Sequence, residues 1–401
     1  MRNLAVEDAR TRMLAGIAPL GGEPVAIGDA LGRVLAQDVR ADRDQPPFQA
    51  SAMDGWAVRR ADVETAEARL RIVGESAAGH GYAGAVRPGE AVRIFTGAAL
   101  PAGADMVVIQ EEAAREGDHV RLGPVDAKPS NVRPRGGDFA AGTVLLQAGV
   151  RLDPWRVSLA AAAGAAQVAA ARRPRLALLT TGEELVPPGT APGPFQIYDS
   201  GGPALSALAR GWGAEVVFVG RAGDDEAAIA ASVEAIGAEL IVTVGGASVG
   251  DHDLVKPALG RLGLSLAVES VRLRPGKPTW FGTLADGRCV LGLPGNPASA
   301  FVCAELFLRP LLAAWLGAPP ALPMIPARLA EPLPATGPRE HWMRAALSVS
   351  PDGGLTARPF FEQDSSLVSI FARADALVRR PAGAEAAEAG AVVEVLRLER
   401  L

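Results

Sequence analysis

Residues 240–253, with the sequence LIVTVGGASVGDHD, carry the strongest structural signal in this chain of 401 residues. The first five are apolar and mostly β-branched, which predicts a buried strand. Gly245 and Gly246 then allow a sharp backbone turn, and a helical pattern follows the loop. A strand, a glycine loop and a helix together present backbone N–H groups to an anion in an open α/β sheet. Asp251 and Asp253 can bind a hard cation such as Mg²⁺ or cap the helix, and the stretch alone favours neither interpretation.

Strands and helices alternate on both sides of this stretch. Strands are predicted at 175–180, 215–219, 240–244 and 288–293, and helices at 204–212, 225–236, 253–262 and 298–316. The alternation predicts a parallel sheet with helices on both faces. Ligands bind beyond the carboxyl ends of such strands. This rule selects four candidate segments: 180–184, 224–225, 245–253 and 293–297.

Two turns near this sheet carry further candidate residues. In the turn LPGNP, Asn296 suits the N-cap of a helix and Pro297 its first position. A capped helix without a ligand explains both residues, but not the Pro-Gly pair before them. In the turn RLRPGKP, Arg272, Arg274 and Lys277 precede an apolar run directly. Such a position is unusual for solvated charge, so we favour a functional interpretation there.

The remaining segments predict a helical unit interrupted by a β-rich insert. Residues 3–15 have an amphipathic helical pattern, and the alanine-rich residues 157–171 are helical by propensity. Between them, short apolar runs from about 58 to 140 alternate with Gly and Pro turns and predict strands. A proline-rich linker then leads to residues 323–401, whose short apolar runs predict a small β-barrel or sandwich.

Two polar clusters of the N-terminal half have both a structural and a functional interpretation. Asp54 lies in the tight turn SAMDG, where it either makes an Asx-turn or belongs to a site. Arg133, Arg135 and Asp138 surround a glycine pair, as a solvated face or as a phosphate clamp.

Composition limits the classes of function. The net charge of −5 and pI of about 5.6 argue against a general nucleic-acid binder. Any anionic substrate must therefore meet locally clustered Arg and Lys. Cys289 and Cys303 lie in apolar segments, which predicts core thiols without a disulfide framework. The acidic N-terminal helix is unlike a signal peptide, and 157–171 is too short to span a bilayer, so we expect no membrane association and a cytoplasmic location.

Six motifs in fixed order resemble the molybdopterin molybdenumtransferases, the MoeA family, which includes the C-terminal domain of gephyrin. They are SAMDG at 51–55, FTGA at 95–98, TGEEL at 181–185, GGASVGDHD at 245–253, RPGKP at 274–278 and LPGNP at 293–297. Six ordered motifs over about 250 residues are far more specific than one glycine motif. The resemblance covers essentially the whole chain.

The resemblance implies a multi-domain α/β plus β fold with four domains. These are a split helical domain (1–44 and 139–172), a β-rich inserted domain (45–138), a parallel-sheet α/β molybdopterin-binding domain (173–318) and a C-terminal β-barrel (319–401). It also implies a homodimer whose cleft combines the α/β and C-terminal domains of one subunit with the inserted domain of the other. Molybdopterin adenylyltransferase and molybdoenzyme chaperones are the partners it suggests.

The implied reaction is Mg²⁺-dependent insertion of molybdate into adenylylated molybdopterin, which releases AMP and forms molybdenum cofactor. The implied catalytic residues are Asp54, Thr96, Glu184, Asp224 and Asp253, with Asp54, Asp224 and Asp253 as metal ligands. The implied pterin and phosphate contacts are Arg133, Asp138, Gly246, Ser248, Gly250, Pro294, Gly295 and Asn296. The implied molybdate contacts are Arg274, Lys277, Pro278, Arg344 and Ser365.

The chain departs from the family at two motif positions. Arg274 stands where relatives often have Lys, and Glu183 where they often have Asp. Arg keeps the positive charge but has a planar guanidinium with several donors in place of the compact ammonium of Lys. Three alternatives share much of this pattern: an adenylyltransferase that makes the activated pterin, a scaffold of the gephyrin type, and a relative that handles tungstate. Adenylyltransferases typically have a single domain, unlike this chain, and a purely structural scaffold would not need all of the charged motifs. Both points favour the molybdenumtransferase.

Overall fold

A computed structural model describes residues 1–64, 66–125, 129–222, 225–245 and 254–399. Five predicted site residues lie outside these ranges: Asp224, Gly246, Ser248, Gly250 and Asp253.

The N-terminal half contains one helix on the central core and a separate β-rich unit. Helix α1 (Val6–Leu14) buries Val6, Ala9 and Met13, which the spacing of a helix places on one face. Strands β4 to β9 form a six-stranded sheet in the order β7-β4-β6-β5-β9-β8, and β10 pairs with β3. The strands are β1 (Gly22–Ala26), β2 (Val39–Arg40), β3 (Ala50–Ser51), β4 (Gly55–Val58), β5 (Ala68–Ser76), β6 (Glu90–Ile94), β7 (Met106–Ile109), β8 (Ala113–Glu116), β9 (His119–Leu122) and β10 (Val132–Arg133).

After this unit the chain returns to the first strands. Strand β11 (Val144–Leu146) pairs with β2, and β12 (Gln167–Ala171) pairs with β1. Helix α2 (Pro154–Ala162) lies between them, capped by the Asp153 carboxylate, which accepts from the N–H of Arg156. The prediction of helix throughout 157–171 was wrong, because Gly164 adopts φ +99° and the remaining alanines complete a β ladder. Tertiary pairing overrides alanine's helix propensity here.

The centre of the molecule is a six-stranded sheet in the order β16-β13-β17-β21-β20-β18. The first four strands are parallel, as predicted, and β20 and β18 add antiparallel pairs. Apolar clusters cover both faces. The elements are β13 (Arg175–Thr180), β14 (Leu185–Val186), β15 (Ile197–Tyr198), α3 (Gly201–Gly211), β16 (Glu215–Arg221), α4 (Glu226–Ala235), β17 (Leu240–Val244), α5 (Val255–Gly260), β18 (Ser265–Val268), β19 (Leu273–Arg274), β20 (Trp280–Thr283), β21 (Cys289–Leu293), α6 (Pro297–Cys303) and α7 (Arg309–Trp315).

Helices α6 and α7 are continuous through a π-helical segment, Ala304–Leu308. Among the described residues this helix, Pro297–Trp315, alone has the length and hydropathy of a membrane span, yet 83% of its most apolar 18 residues are buried in the protein. Its apolar surface belongs to the main core cluster. Cys289 and Cys303 are buried free thiols, as predicted.

The C-terminal segment forms a closed barrel, which settles the choice between barrel and sandwich. Five strands pair in a ring, β23-β24-β22-β26-β25, and β25 pairs again with β23. Strand β19 of the central segment extends this sheet beside β23. The elements are β22 (Met324–Leu329), β23 (Glu340–Val349), β24 (Leu355–Pro359), α8 (Val368–Arg373), β25 (Ala376–Arg380) and β26 (Val392–Arg397). The residue boundaries of the four domains stay a prediction.

The close packing of β20 on β21 generates a stability test. A Cβ at Gly292 would lie 2.0 Å from the ring of Trp280, which is fully buried. We expect Gly292→Ala to destabilise the protein by about 1–3 kcal/mol, because the indole cannot move away. The matched control is Gly260→Ala at the end of α5, where a Cβ would have no neighbour within 4 Å. Thermal denaturation of both variants checks this, and an unchanged midpoint for Gly292→Ala would contradict it.

Candidate active-site cleft

A large cavity lies beyond the carboxyl ends of β13, β17 and β21, where the sheet topology predicts a ligand. Its volume is about 1480 Å³. The loops after these three strands line it together with the β19–β20 turn and the start of α8. Predicted site residues that line it are Glu184, Lys277, Pro278, Pro294, Gly295 and Asn296.

Three strand ends are held together at the floor of the cleft. The N–H of Thr181 donates to the carbonyl of Val244 at 3.0 Å, and the N–H of Gly245 donates to the carbonyl of Leu293 at 3.2 Å. Gly245 has φ +94°, and a Cβ there would lie 2.7 Å from the Thr181 carbonyl oxygen. Only glycine fits this position, because both the backbone conformation and the space exclude a side chain.

The LPGNP turn joins the central sheet to the C-terminal segment. The Asn296 side-chain amide donates to the hydroxyl oxygen of Ser365 at 2.8 Å, and the N–H of Ala298 donates to the Ser365 carbonyl at 3.0 Å. Asn296 is the N-cap residue of α6, but its side chain makes no capping bond to the helix. Its amide therefore positions Ser365 at the cleft instead of satisfying the helix end. The neighbouring Ser366 lines the cleft and is hydrogen-bonded to Asp364.

Lys277 extends from a rigid turn into the cleft. The Thr279 hydroxyl donates to the Gly276 carbonyl at 2.8 Å, and Gly276 adopts φ +116°. A Cβ at Gly276 would lie 2.3 Å from the sulfur of Cys303, a thiol whose pKa burial raises to about 12. The Lys277 carbonyl accepts from the N–H of Val271 at 3.0 Å, whereas its exposed ammonium has no hydrogen-bond or ion-pair partner within the described part of the chain. Lys277 therefore presents an ammonium group to the cleft from a backbone that the turn holds in place.

Arg344 is a fully buried cation beside this cleft. Its backbone N–H and Nε both donate to the side-chain oxygen of Gln363, at 3.0 and 3.2 Å, and Nη1 donates to the Asp364 carbonyl at 2.9 Å. Nη2 is buried and has no acceptor among the described residues. Burial lowers the pKa of Arg344, while the nearby Asp364 carboxylate opposes the shift. A buried donor without a partner is costly, so this guanidinium is suited to an anionic ligand.

Arg274 faces a different cavity from the other predicted molybdate contacts. It is exposed and lines a volume of about 310 Å³ at one end of the barrel, with Gln363 as another wall. Gln363 thus lies between this cavity and Arg344. Arg344 and Ser365 are linked to the LPGNP turn through residues 363–365 but are not in the described lining of the cleft, whereas Lys277 and Pro278 are.

The predicted residues of the inserted unit are not in the described lining of this cleft, and two of them, Asp54 and Thr96, bond to each other. The N–H and hydroxyl of Thr96 both donate to Asp54 Oδ1 at 2.7 Å, and these bonds hold the pKa of that carboxyl below its usual value. Asp54 therefore has a side-chain partner across the sheet and does more than close its own turn. Arg133 and Asp138 are exposed, near the end of this unit.

The described residues alone do not form a Mg²⁺ site. No group of three Asp, Glu, His or Cys side chains within the described ranges could hold a metal ion. Of the three predicted ligands, Asp54 belongs to the separate β-rich unit, and Asp224 and Asp253 lie outside those ranges. Glu183, Glu184 and Asp199 are carboxylates at the cleft.

Sequence reasoning missed one segment of the cleft wall, Tyr198 to Ser200. These residues run from the last residue of β15 to the start of α3 and line the cleft, and the Asp199 carboxylate accepts from the N–H of Gly202 at 2.9 Å. This bond caps the first turn of α3. The available signal was Asp-Ser-Gly-Gly directly before an amphipathic helix, a pattern typical of a helix start.

Comparison with known proteins agrees with this architecture along the chain. Three family models match in order: the MoeA N-terminal region (domain I and II) at residues 4–164, a probable molybdopterin binding domain at 177–314, and the MoeA C-terminal region (domain IV) at 326–398. The chain belongs to the MoeA family. The resemblance drawn from six motifs is confirmed, and with it an enzyme fold of molybdenum cofactor biosynthesis.

Individual MoeA relatives match over most of their length. A molybdopterin molybdenumtransferase of Nostoc sp. is 39% identical over 298 residues, covering 72% of this chain and 68% of the relative. One from Staphylococcus aureus is 30% identical over 403 residues, covering 99% and 96%. The crystal structure of a molybdopterin biosynthesis MoeA protein from Pyrococcus horikoshii matches with a TM-score of 0.84 and 32% identity, covering 100% of both chains.

The contact between Asn296 and Ser365 predicts a measurable energetic coupling. Asn296→Ala and Ser365→Ala should each lower stability, and the double variant should lose about 1 kcal/mol less than the sum, because both singles remove one hydrogen bond. Thermal denaturation of the four proteins gives this coupling. The control cycle pairs Asn296→Ala with Ser366→Ala, whose hydroxyl bonds to Asp364, and it should be additive. Additive effects for Asn296 and Ser365 would contradict the contact.

Proposed function

We propose that this protein inserts molybdate into adenylylated molybdopterin, releases AMP and forms molybdenum cofactor. One observation carries the proposal. A loop at the ligand edge of a molybdopterin-type sheet bonds directly to Ser365, two residues after the Gln363 that holds the buried Arg344. A pterin phosphate held at the sheet and an oxyanion held at the barrel would meet across this contact.

The cleft supplies what two anionic reactants require. The pterin substrate carries a phosphoanhydride and molybdate is a dianion, so bringing them together costs Coulomb energy unless cations lie between them. Lys277 is an exposed ammonium at the cleft, and Arg344, which lies outside the described lining, has a buried N–H without an acceptor among the described residues. The glycines of the loops, Gly245 and Gly295, let a substrate approach the backbone closely.

The residues of the chain position the reactants and balance charge. Lys277, Pro278, Arg344 and Ser365 are proposed to hold molybdate, with Arg274 at the adjoining cavity. Pro294, Gly295 and Asn296 are proposed to hold the pterin side, together with Gly246, Ser248 and Gly250. Glu184 borders the same cleft and is proposed to orient the group that attacks the phosphoanhydride.

Mg²⁺ is part of the proposal as a required ion, with Asp54, Asp224 and Asp253 as its ligands. When bound, it would neutralise charge on the phosphoanhydride. The lowered pKa of Asp54 supports this assignment, since an ionised carboxylate is needed to bind a hard cation.

The proposed active unit is a homodimer with a shared site. Asp54, Thr96, Arg133 and Asp138 lie outside the lining of the cleft of their own chain. In the proposed dimer these residues complete the cleft of the other subunit. This arrangement accounts for an Asp54 that Thr96 holds in one orientation although it lies outside the described lining of its own chain's cleft.

The first test is release of AMP from adenylylated molybdopterin by the purified protein. We expect release to require both molybdate and Mg²⁺, and Lys277→Met to lower its rate about a hundredfold, as removal of one charged donor typically does. The control is Arg397→Ala, an exposed arginine of the barrel away from both cavities. Wild-type activity of Lys277→Met would contradict the assignment of this cation.

Mixing of inactive subunits tests the shared site. Asp54→Ala and Lys277→Met chains should each be inactive as homodimers. If equal amounts of the two variants are unfolded and refolded together, half of the dimers contain one chain of each. Each mixed dimer has one intact site out of two, so about a quarter of the wild-type activity should return. If no activity returns although mixed dimers form, the site is contained in one chain.

The same reagents distinguish the alternatives. Formation of adenylylated molybdopterin from ATP and molybdopterin would identify an adenylyltransferase instead. Binding of a receptor segment without either reaction would favour a scaffold. Replacing molybdate with tungstate in the AMP assay measures the preference between the two oxyanions.

A further inference from the structure

We propose that the cavity at the end of the C-terminal barrel binds a small tetrahedral dianion, such as molybdate, sulfate or the phosphate of a monoester. We call it the barrel-end cavity. It has a volume of about 310 Å³, which leaves room for such an ion and some water. The proposal rests on the proposed function only in that Arg274 is also one of the proposed molybdate contacts, and it extends that assignment to Arg339, His341 and Arg380.

Strand register places three nitrogen-rich side chains in one row at this cavity. Arg274 of β19 is paired with His341 of β23, and His341 is paired with Arg380 of β25. Residues directly opposite each other on neighbouring strands share a face of the sheet. All three line the cavity, and Arg339 adds a third guanidinium from the loop before β23.

The charges at the cavity are not balanced by lining acids. None of the described side chains that line it is Asp or Glu. Arg339 and Arg274 are exposed, and neither has an ion-pair partner among the described residues. Three guanidinium groups without a carboxylate repel one another, and a dianion is the ligand that relieves this repulsion.

Arg380 supplies an independent indication of a ligand. Its side chain is only 6% exposed, and Nη2 donates to the carbonyls of Pro334 and Glu385. Nε is buried and has no acceptor within the described residues. The two carbonyls hold Nη2 and orient the guanidinium, so Nε is positioned without being satisfied. Guanidinium donors of this kind match the oxygen atoms of a tetrahedral oxyanion.

The protonation state of His341 can report whether the cavity is occupied. Burial, followed by the charges of Arg274, Arg344 and Arg339, lowers its pKa to about 4, so it is neutral at pH 7. Arg380 faces it from β25 as a further cation. A bound dianion would oppose these charges and raise the His341 pKa, since an opposite charge favours the protonated form. Occupancy of the cavity can therefore be observed at one imidazole.

The barrel-end cavity is separate from the cleft. Gln363 is a wall of the cavity, and its side-chain oxygen accepts from Arg344, which does not line the cavity. Lys277, Ser366 and the LPGNP turn line the cleft. An ion at the row of Arg274, His341 and Arg380 therefore occupies a different position from one bound at Lys277.

The test is titration of the full-length protein with sodium sulfate, with molybdate and with AMP in a low-chloride buffer, followed by calorimetry and by NMR of His341. His341→Gln identifies the resonance. We expect each binding dianion to raise the His341 pKa by roughly one unit or more. Arg339→Ala should weaken binding about tenfold, because one charged donor is lost. AMP release at saturating molybdate should be unchanged in this variant.

Control variants separate the barrel-end cavity from the cleft. Arg397→Ala should bind the dianion as the wild type does, and Lys277→Met should keep the response of His341 to sulfate. A response to sulfate and molybdate alone identifies a site for free inorganic oxyanions, and an added response to AMP extends it to phosphate monoesters. No response of His341 to any of the three, or wild-type affinity in Arg339→Ala, would overturn the proposal.

Discussion

The complete burial of β17 is the constraint on which the architecture depends. All five residues of Leu240–Val244 are buried, between β13 and β21, and apolar clusters cover both faces of the sheet. A strand in this position can carry almost no polar chemistry, because its backbone groups must be satisfied by its neighbours. Apart from Thr243, whose hydroxyl is buried without a partner among the described residues, polar side chains are therefore left to the point where the strand ends. Gly245 marks that point, and the neighbouring strand ends converge there by hydrogen bonds.

The cleft depends on a second constraint, the attachment of the barrel to this edge. Two hydrogen bonds join Ser365 to Asn296 and Ala298, and β19 leaves the central segment to pair with β23 of the barrel. The turn that carries Lys277 lies between β19 and β20, so it is tied to both bodies. A cation on such a turn keeps its position relative to the sheet and the barrel together.

The sequence predicted the elements whose patterns were strong and local. The strand at 240–244 was predicted with its observed bounds, and the parallel order followed from alternation. The predicted helix at 157–171 is correct to Ala162 and wrong at 167–171, because a ladder with β1 outweighed alanine propensity there. The burial of Arg344 and the two cavities could not be predicted, since they arise from contacts between segments far apart in sequence. Tyr198 to Ser200 were missed because a short strand and a helix cap give weak signals.

The surroundings of Arg344 explain how a buried cation remains available to a ligand. Its described partners are a side-chain amide and a backbone carbonyl, Gln363 and Asp364, and neither carries a charge at the contact. A carboxylate in the same place would neutralise the guanidinium and compete with an incoming oxyanion. The Asp364 carboxylate instead accepts from the N–H and hydroxyl of Ser366, which hold its pKa low. Neutral acceptors thus fix the geometry of Arg344 while most of its charge remains uncompensated, which is the condition under which a buried arginine binds an anion strongly.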